Sequence, residues 1–176
     1  MDDNLAIIYL SVLVVLLLGA AFPIFRQVLR TRKTENTLAR LENKLSKEKG
    51  TAQEYYELGG LYLDKKVYSQ AISLFQKAIK AAQEEKEENI TLIYNGLGFA
   101  YFAQEQYDLA IRQYKEALKD NPNYVMALKN LAYAYERKKL TAQALQTYEQ
   151  VLQADPKNTD AKRRMESLRR RLVISG

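Results

Sequence analysis

Few residue types in this 176-residue chain could perform chemistry, because it contains no cysteine and no histidine. Thiol nucleophiles, disulfides, Cys/His zinc sites, haem ligation by histidine and Ser-His-Asp triads are therefore excluded. Carboxylates, lysines, tyrosines, serines and threonines remain, and the sequence pattern brings no pair of carboxylates together. We therefore do not expect an enzyme or a Cys/His metal site. The function must lie in a surface that the structural elements build.

The first of these elements is an uncharged segment from Leu5 to Phe25. At a rise of 1.5 Å per residue, a helix of this length spans about 31 Å, close to the thickness of the hydrocarbon core of a bilayer. Asp2 and Asp3 precede it, whereas a signal peptide has a positively charged start and a shorter apolar run. The sequence therefore favours a transmembrane anchor over residues 1–25 and leaves a cleaved signal peptide as the alternative.

Basic residues follow the anchor directly, with eight Lys/Arg against three Glu in residues 26–49. Because positive charge is retained on the side of synthesis, we predict that the N-terminus crosses the membrane and that the rest of the chain stays cytoplasmic. Residues 26–50 are predicted to form a basic amphipathic helix beside the membrane. Each basic residue near anionic lipid contributes about 1 kcal/mol to the free energy of membrane binding. The residues expected to contact the lipid surface are Arg26, Arg30, Arg32 and Lys33.

Internal repetition is the strongest pattern in the remaining sequence. Leu97, Gly98 and Tyr101 recur 34 residues later as Leu131, Ala132 and Tyr135, and an earlier copy offset by 39 has Leu58, Gly59 and Tyr62. A 34-residue helix–turn–helix unit with small residues at such positions is typical of the tetratricopeptide repeat. We therefore predict an all-α protein in which residues 51–158 hold three repeats, at 52–85, 91–124 and 125–158.

The segments that flank the repeats fit the same architecture. Thr51 and Glu54 have the spacing of a capping box that begins the first repeat. Gln83 replaces the proline that follows the other second helices, so this second helix is predicted to extend to Asn89. Residues 159–176 are predicted to form a basic capping helix and tail, because a repeat array needs a polar end. Nucleic acid is not an expected partner, since no aromatic residues interleave with these charges.

Repeats of this type bind extended peptides or helices in a groove lined by their first helices. Counting from each repeat start, the groove positions are apolar and aromatic and include Leu92 and Met126. The residues predicted to contact a polypeptide partner are Tyr56, Leu63, Asn95, Phe99, Phe102, Lys129, Tyr133 and Arg137. Adaptors that hold acidic chaperone tails use Lys and Asn at two positions where this chain has Tyr56 and Gly60. An adaptor of that kind is therefore disfavoured.

The order of the elements resembles a known family. FRQVLRTRKTE follows the apolar segment, and KGTAQEYYELGGLYLDKK begins the first repeat. Over essentially the whole chain, this pattern resembles the small thylakoid tetratricopeptide proteins that assist photosystem I assembly, found in cyanobacteria and plastid genomes with a nuclear-encoded plant relative. The resemblance implies a cofactor-free, single-pass thylakoid membrane protein with a lumenal N-terminus and cytosolic or stromal repeats. The implied partners are photosystem I subunits or assembly intermediates, other assembly factors and membrane lipid.

Two other functions stay open from the sequence. One is a general membrane-tethered scaffold that self-associates through Leu38, Leu41 and Leu45, which recur at helical spacing. The other is a targeting receptor for hydrophobic protein segments. Self-contacts without photosystem subunits would favour the scaffold, and capture of many unrelated precursors would favour the receptor.

Overall fold

The structure is a computed structural model that describes residues 2–87 and 90–175. Over these residues the chain forms eight α-helices and no strand, so the predicted all-α fold class is confirmed. The chain divides into two units, residues 1–47 and 48–176.

The first unit contains one long helix, α1 (Asp2–Leu45). α1 includes the predicted anchor from Asp2 onward and most of the predicted amphipathic segment, because the chain stays helical through Pro23. Proline removes one backbone hydrogen bond, and the bonds on either side maintain the helix. By length and composition α1 is able to cross a membrane, and large apolar side chains such as Val15, Leu18 and Phe22 are exposed.

The second unit begins with three helix–turn–helix pairs of similar dimensions. They are α2 (Ala52–Asp64) with α3 (Tyr68–Glu85), α4 (Thr91–Ala103) with α5 (Tyr107–Asp120), and α6 (Val125–Arg137) with α7 (Thr141–Ala154). The first helix of every pair has 13 residues. The last helix, α8 (Thr159–Ser175), begins 34 residues after α6 and therefore takes the place of the first helix of a fourth repeat.

The end of α3 differs from the sequence prediction. α3 has 18 residues, whereas α5 and α7 have 14, so the absence of a proline at Gln83 does lengthen the helix. It ends at Lys86, which adopts a left-handed conformation (φ 57°), and the Glu87 N–H donates to the Ala82 carbonyl at 2.9 Å. This closure is a common helix stop. The predicted extension to Asn89 is therefore wrong in extent, and Glu88 and Asn89 lie outside the described residues.

Small residues on the first helices allow aromatic rings of the second helices to approach closely. A Cβ added at Gly98 would lie 2.6 Å from Tyr114 Cδ1, and one added at Gly59 would lie 3.0 Å from Phe75 Cε1. The Tyr114 and Phe75 side chains are fully buried. Close packing of this kind fixes each first helix against the second helix of its pair.

The turn between the two helices of each pair contains a non-glycine residue in the left-handed region. The backbone strain at this residue should lower the free energy of unfolding. Lys66, Glu105 and Lys139 each have φ 60°, where a Cβ costs about 1 kcal/mol. Lys66→Gly and Lys139→Gly should each raise the free energy of unfolding by about 0.5–1 kcal/mol, as measured by urea unfolding. Lys65→Gly is the control, because Lys65 has an ordinary right-handed conformation (φ −78°). Unchanged or lower stability in both test variants would contradict the strain.

Candidate functional site

A groove of about 520 Å³ lies along the first helices of the three pairs. α2, α4 and α6 contact one another in chain order, so their outward faces form one continuous surface. The residues that line it are Tyr56, Glu57, Gly60, Leu61, Leu63, Asp64, Phe75, Leu92, Asn95, Gly96, Phe99, Tyr124, Met126 and Asn130.

Apolar side chains form an exposed floor in this groove. Leu92, Phe99 and Met126 are 50%, 44% and 52% exposed. α4 contains no charged residue. One side of this helix, with Ile93 and Leu97, is buried in the core, and its opposite side contributes Leu92 and Phe99 to the groove floor. Contiguous exposed apolar surface of this kind marks interaction sites on soluble domains.

A pair of amides supplies polar groups in the middle of the groove. Asn130 Nδ2 on α6 donates to Asn95 Oδ1 on α4 at 3.0 Å. Since each amide has two donor hydrogens and one acceptor oxygen, this bond leaves the Asn95 N–H groups and the Asn130 oxygen for a ligand. An extended polypeptide backbone offers a matching carbonyl and N–H.

Two tyrosines add hydroxyl groups to the groove wall. Burial raises the pKa of the Tyr124 phenol above its usual value, and the nearby Tyr56 phenol raises it further. The Tyr56 ring also packs against Phe75, with 5.8 Å between ring centroids. The Tyr124 hydroxyl therefore stays neutral at physiological pH.

The structure brings four of the eight predicted contact residues to this groove: Tyr56, Leu63, Asn95 and Phe99. A fifth, Phe102, packs instead against the core of the second unit. Its ring lies edge-on to Tyr107, with 5.4 Å between centroids.

Intramolecular partners engage the other three predicted residues, which lie on α6. Lys129 Nζ is 3.9 Å from Asp160 Oδ2, and the Tyr133 hydroxyl donates to the same carboxylate. Arg137 pairs with Glu105, with 3.3 Å between Nη2 and Oε1. A ligand that binds these three side chains would therefore have to compete with their intramolecular partners.

α8 supplies a charged network that attaches it to α6 and α7. Arg164 Nη1 is 3.3 Å from Glu136 Oε2, and its guanidinium lies 4.2 Å from the Tyr133 ring centroid. The Tyr148 hydroxyl on α7 donates to the same Glu136 oxygen at 3.0 Å. Burial raises the pKa of Tyr148, and the Glu136 carboxylate raises it further. The network makes α8 an integral part of the repeat array.

Sequence reasoning missed three polar residues of the groove. Glu57 and Asn130 each directly follow a counted position, Tyr56 and Lys129, so including the next residue along each helix would have found them. Tyr124 precedes α6 and lies outside any count of helical positions. On the first unit, the basic residues predicted to contact lipid are all exposed: Arg26, Arg30, Arg32 and Lys33.

Three helix pairs with a groove along their first helices define a tetratricopeptide-repeat protein, a class of protein-interaction scaffold and not of enzyme. Profiles described as "Tetratricopeptide repeat" match residues 50–120 and 96–159. The chain belongs to the family of the ycf37 proteins. It is 37% identical to the ycf37 protein of Cyanophora paradoxa, over 94% of this chain and 95% of that protein.

Two further relatives match over about half of their own length. The chain is 34% identical to "Tetratricopeptide repeat domain-containing protein PYG7, chloroplastic" of Arabidopsis thaliana, over 94% of this chain and 55% of that protein. It is 30% identical to "Photosystem I assembly protein Ycf3" of Synechococcus sp. (strain CC9605), over 54% of this chain and 52% of that protein. Among solved structures, the first TPR of Spaghetti (RPAP3) has a TM-score of 0.65 at 21% identity, over 72% of this chain and 96% of that chain. This structural likeness shows the fold alone.

Proposed function

We propose that this protein is a membrane-anchored adaptor that assists photosystem I assembly by binding photosystem subunits or assembly intermediates. The observation that carries the proposal is the groove along α2, α4 and α6, with an exposed apolar floor and an amide pair. The names of two relatives support the process and the compartment, since one is a photosystem I assembly protein and the other is chloroplastic.

The groove is suited to reversible binding. Leu92, Phe99 and Met126 are each about half exposed, so covering them contributes about 1 kcal/mol apiece. The three side chains together contribute about 3 kcal/mol of binding free energy, less than the roughly 8 kcal/mol of a micromolar complex. The amides and tyrosines must supply part of the difference. An assembly adaptor has to release its client, so modest affinity fits the role.

The anchor compensates for weak binding. α1 exposes large apolar side chains such as Val15, Leu18 and Phe22, and the basic residues Arg26 and Arg30 follow them along the helix. We place this segment in the thylakoid membrane, with the N-terminus in the lumen and the repeats on the cytosolic or stromal side, following the distribution of positive charge. Confinement to the membrane raises the effective concentration of the groove near membrane-inserted clients.

Co-purification from solubilised thylakoid membranes tests the proposal. Photosystem I subunits recovered with the tagged full-length protein should fall about tenfold or more when Phe99→Ala and Met126→Ala are combined, because both changes remove groove floor. Val67→Ala with Leu109→Ala is the matched control, since these apolar side chains are 39% exposed and lie outside the groove lining.

The outcomes separate the candidate functions. Unchanged recovery of photosystem I subunits with the groove variant would contradict the proposal, provided that circular dichroism shows intact helices. Recovery of many unrelated precursors by the unaltered protein would instead favour a general targeting receptor.

A further inference from the structure

We propose that the groove selects apolar segments that carry a positively charged residue at the end that meets α2. This inference rests on the proposed role of the groove as a binding site and adds the chemical class of its ligand. It starts from the charges in the groove lining. The two charged residues among those that line it are both acidic, Glu57 and Asp64.

These two carboxylates lie on the same face of α2. They are seven residues apart, which is two helical turns and about 10 Å. Both residues are exposed, and neither forms an ion pair within residues 2–87 and 90–175. They are therefore available to a charged group on a bound segment.

The basic side chains predicted for the groove do not offset this negative charge. Lys129 pairs with Asp160, and Arg137 pairs with Glu105. Lys65 and Lys66 directly follow Asp64 in the turn after α2 and partly offset its charge. Glu57 lies two turns further from them, so we expect Glu57 to account for most of the selectivity.

An apolar floor beside unpaired carboxylates is complementary to a hydrophobic segment flanked by lysine or arginine. The carboxylates attract a basic flank and repel an acidic one, and complementary charge adds mainly to specificity. Cytosolic segments next to membrane-spanning helices are rich in Lys and Arg. Ligands of this class are therefore present on the side of the membrane where the proposed adaptor would work.

The selectivity can be tested with three labelled peptides that share one apolar sequence. They end in two lysines, two glutamines or two glutamates. With the full-length protein in detergent at low salt, the lysine peptide should bind about fivefold more tightly than the glutamine peptide, and the glutamate peptide about fivefold more weakly. High salt should remove most of the difference. Glu57→Gln with Asp64→Asn should abolish the preference among the three peptides, and Glu57→Gln alone should remove most of it.

Controls separate this inference from the proposed function. Glu87→Gln with Asp120→Asn makes the same charge change on exposed residues outside the groove lining and should preserve the preference. Loss of preference in this control, equal binding of the three peptides, or a preference that survives Glu57→Gln with Asp64→Asn would overturn the charge selectivity. Loss of glutamine-peptide binding on combining Phe99→Ala with Met126→Ala would still support the groove as the site. Failure of all three peptides to bind would overturn both.

Discussion

Gly98→Leu is expected to lower the free energy of unfolding of the repeat unit by about 3 kcal/mol, because it overpacks a close helix–helix contact. A Cβ built at Gly98 lies 2.6 Å from both Cδ1 and Cε1 of Tyr114. The Tyr114 side chain is fully buried. Urea unfolding followed by circular dichroism measures the loss, which should extend to both helices of the middle pair.

Gly60→Leu is the matched control for this prediction. Gly60 is also helical, yet among the described residues no heavy atom beyond its own stretch of helix lies within 4 Å of a Cβ built there. Since leucine has a better helix propensity than glycine, stability should stay the same or rise by up to about 1 kcal/mol. The third repeat has Ala132 where the second has Gly98, so Gly98→Ala should cost less than Gly98→Leu. Equal losses in the two leucine variants would contradict the steric explanation.

The fold was predictable because the 34-residue sequence repeat reflects helix packing that recurs at the same spacing. Pairs such as Gly98 with Tyr114 depend on local sequence, and the turns between paired helices are short. The capping box at Thr51 and Glu54 is likewise local and was predicted; the structure confirms it, with hydrogen bonds of 3.2 and 3.1 Å. The end of α3 was not predictable in the same way, since it depends on the left-handed conformation of Lys86, a residue type that gives no stop signal.

The groove was only partly predictable, because position counts treat every first helix as equally open. Asp160, the residue that engages Lys129 and Tyr133, lies on α8 and is remote from both in sequence. Nothing in the pattern of α6 indicates that contact. The position of Phe102 was not predictable from the count either. An aromatic residue at a groove position can turn toward the core when it packs against another ring, as Phe102 does against Tyr107.

Arg164→Glu is expected to produce the second large effect, a loss of about 2–3 kcal/mol in the free energy of unfolding. Arg164 balances the Glu136 and Asp160 carboxylates, and Glu136 has only 20% of its side chain exposed. The substitution removes that cation and adds a third carboxylate beside them. It also removes the stacking of the guanidinium on Tyr133. Urea unfolding measures the loss, and faster hydrogen exchange in α8 would locate it.

Arg163→Glu makes the same charge change on the adjacent residue and should cost less than about 1 kcal/mol. The Arg163 side chain is 76% exposed, and within the described part of the chain its ion pair is with Asp160, one turn earlier on the same helix. If the two variants lose the same stability, the network between α8 and α6 is not what secures the end of the array. If Arg164→Glu alone detaches α8, Asp160 should separate from Lys129 and Tyr133. Those residues would then become available to a ligand, because α8 is what engages them in the folded unit.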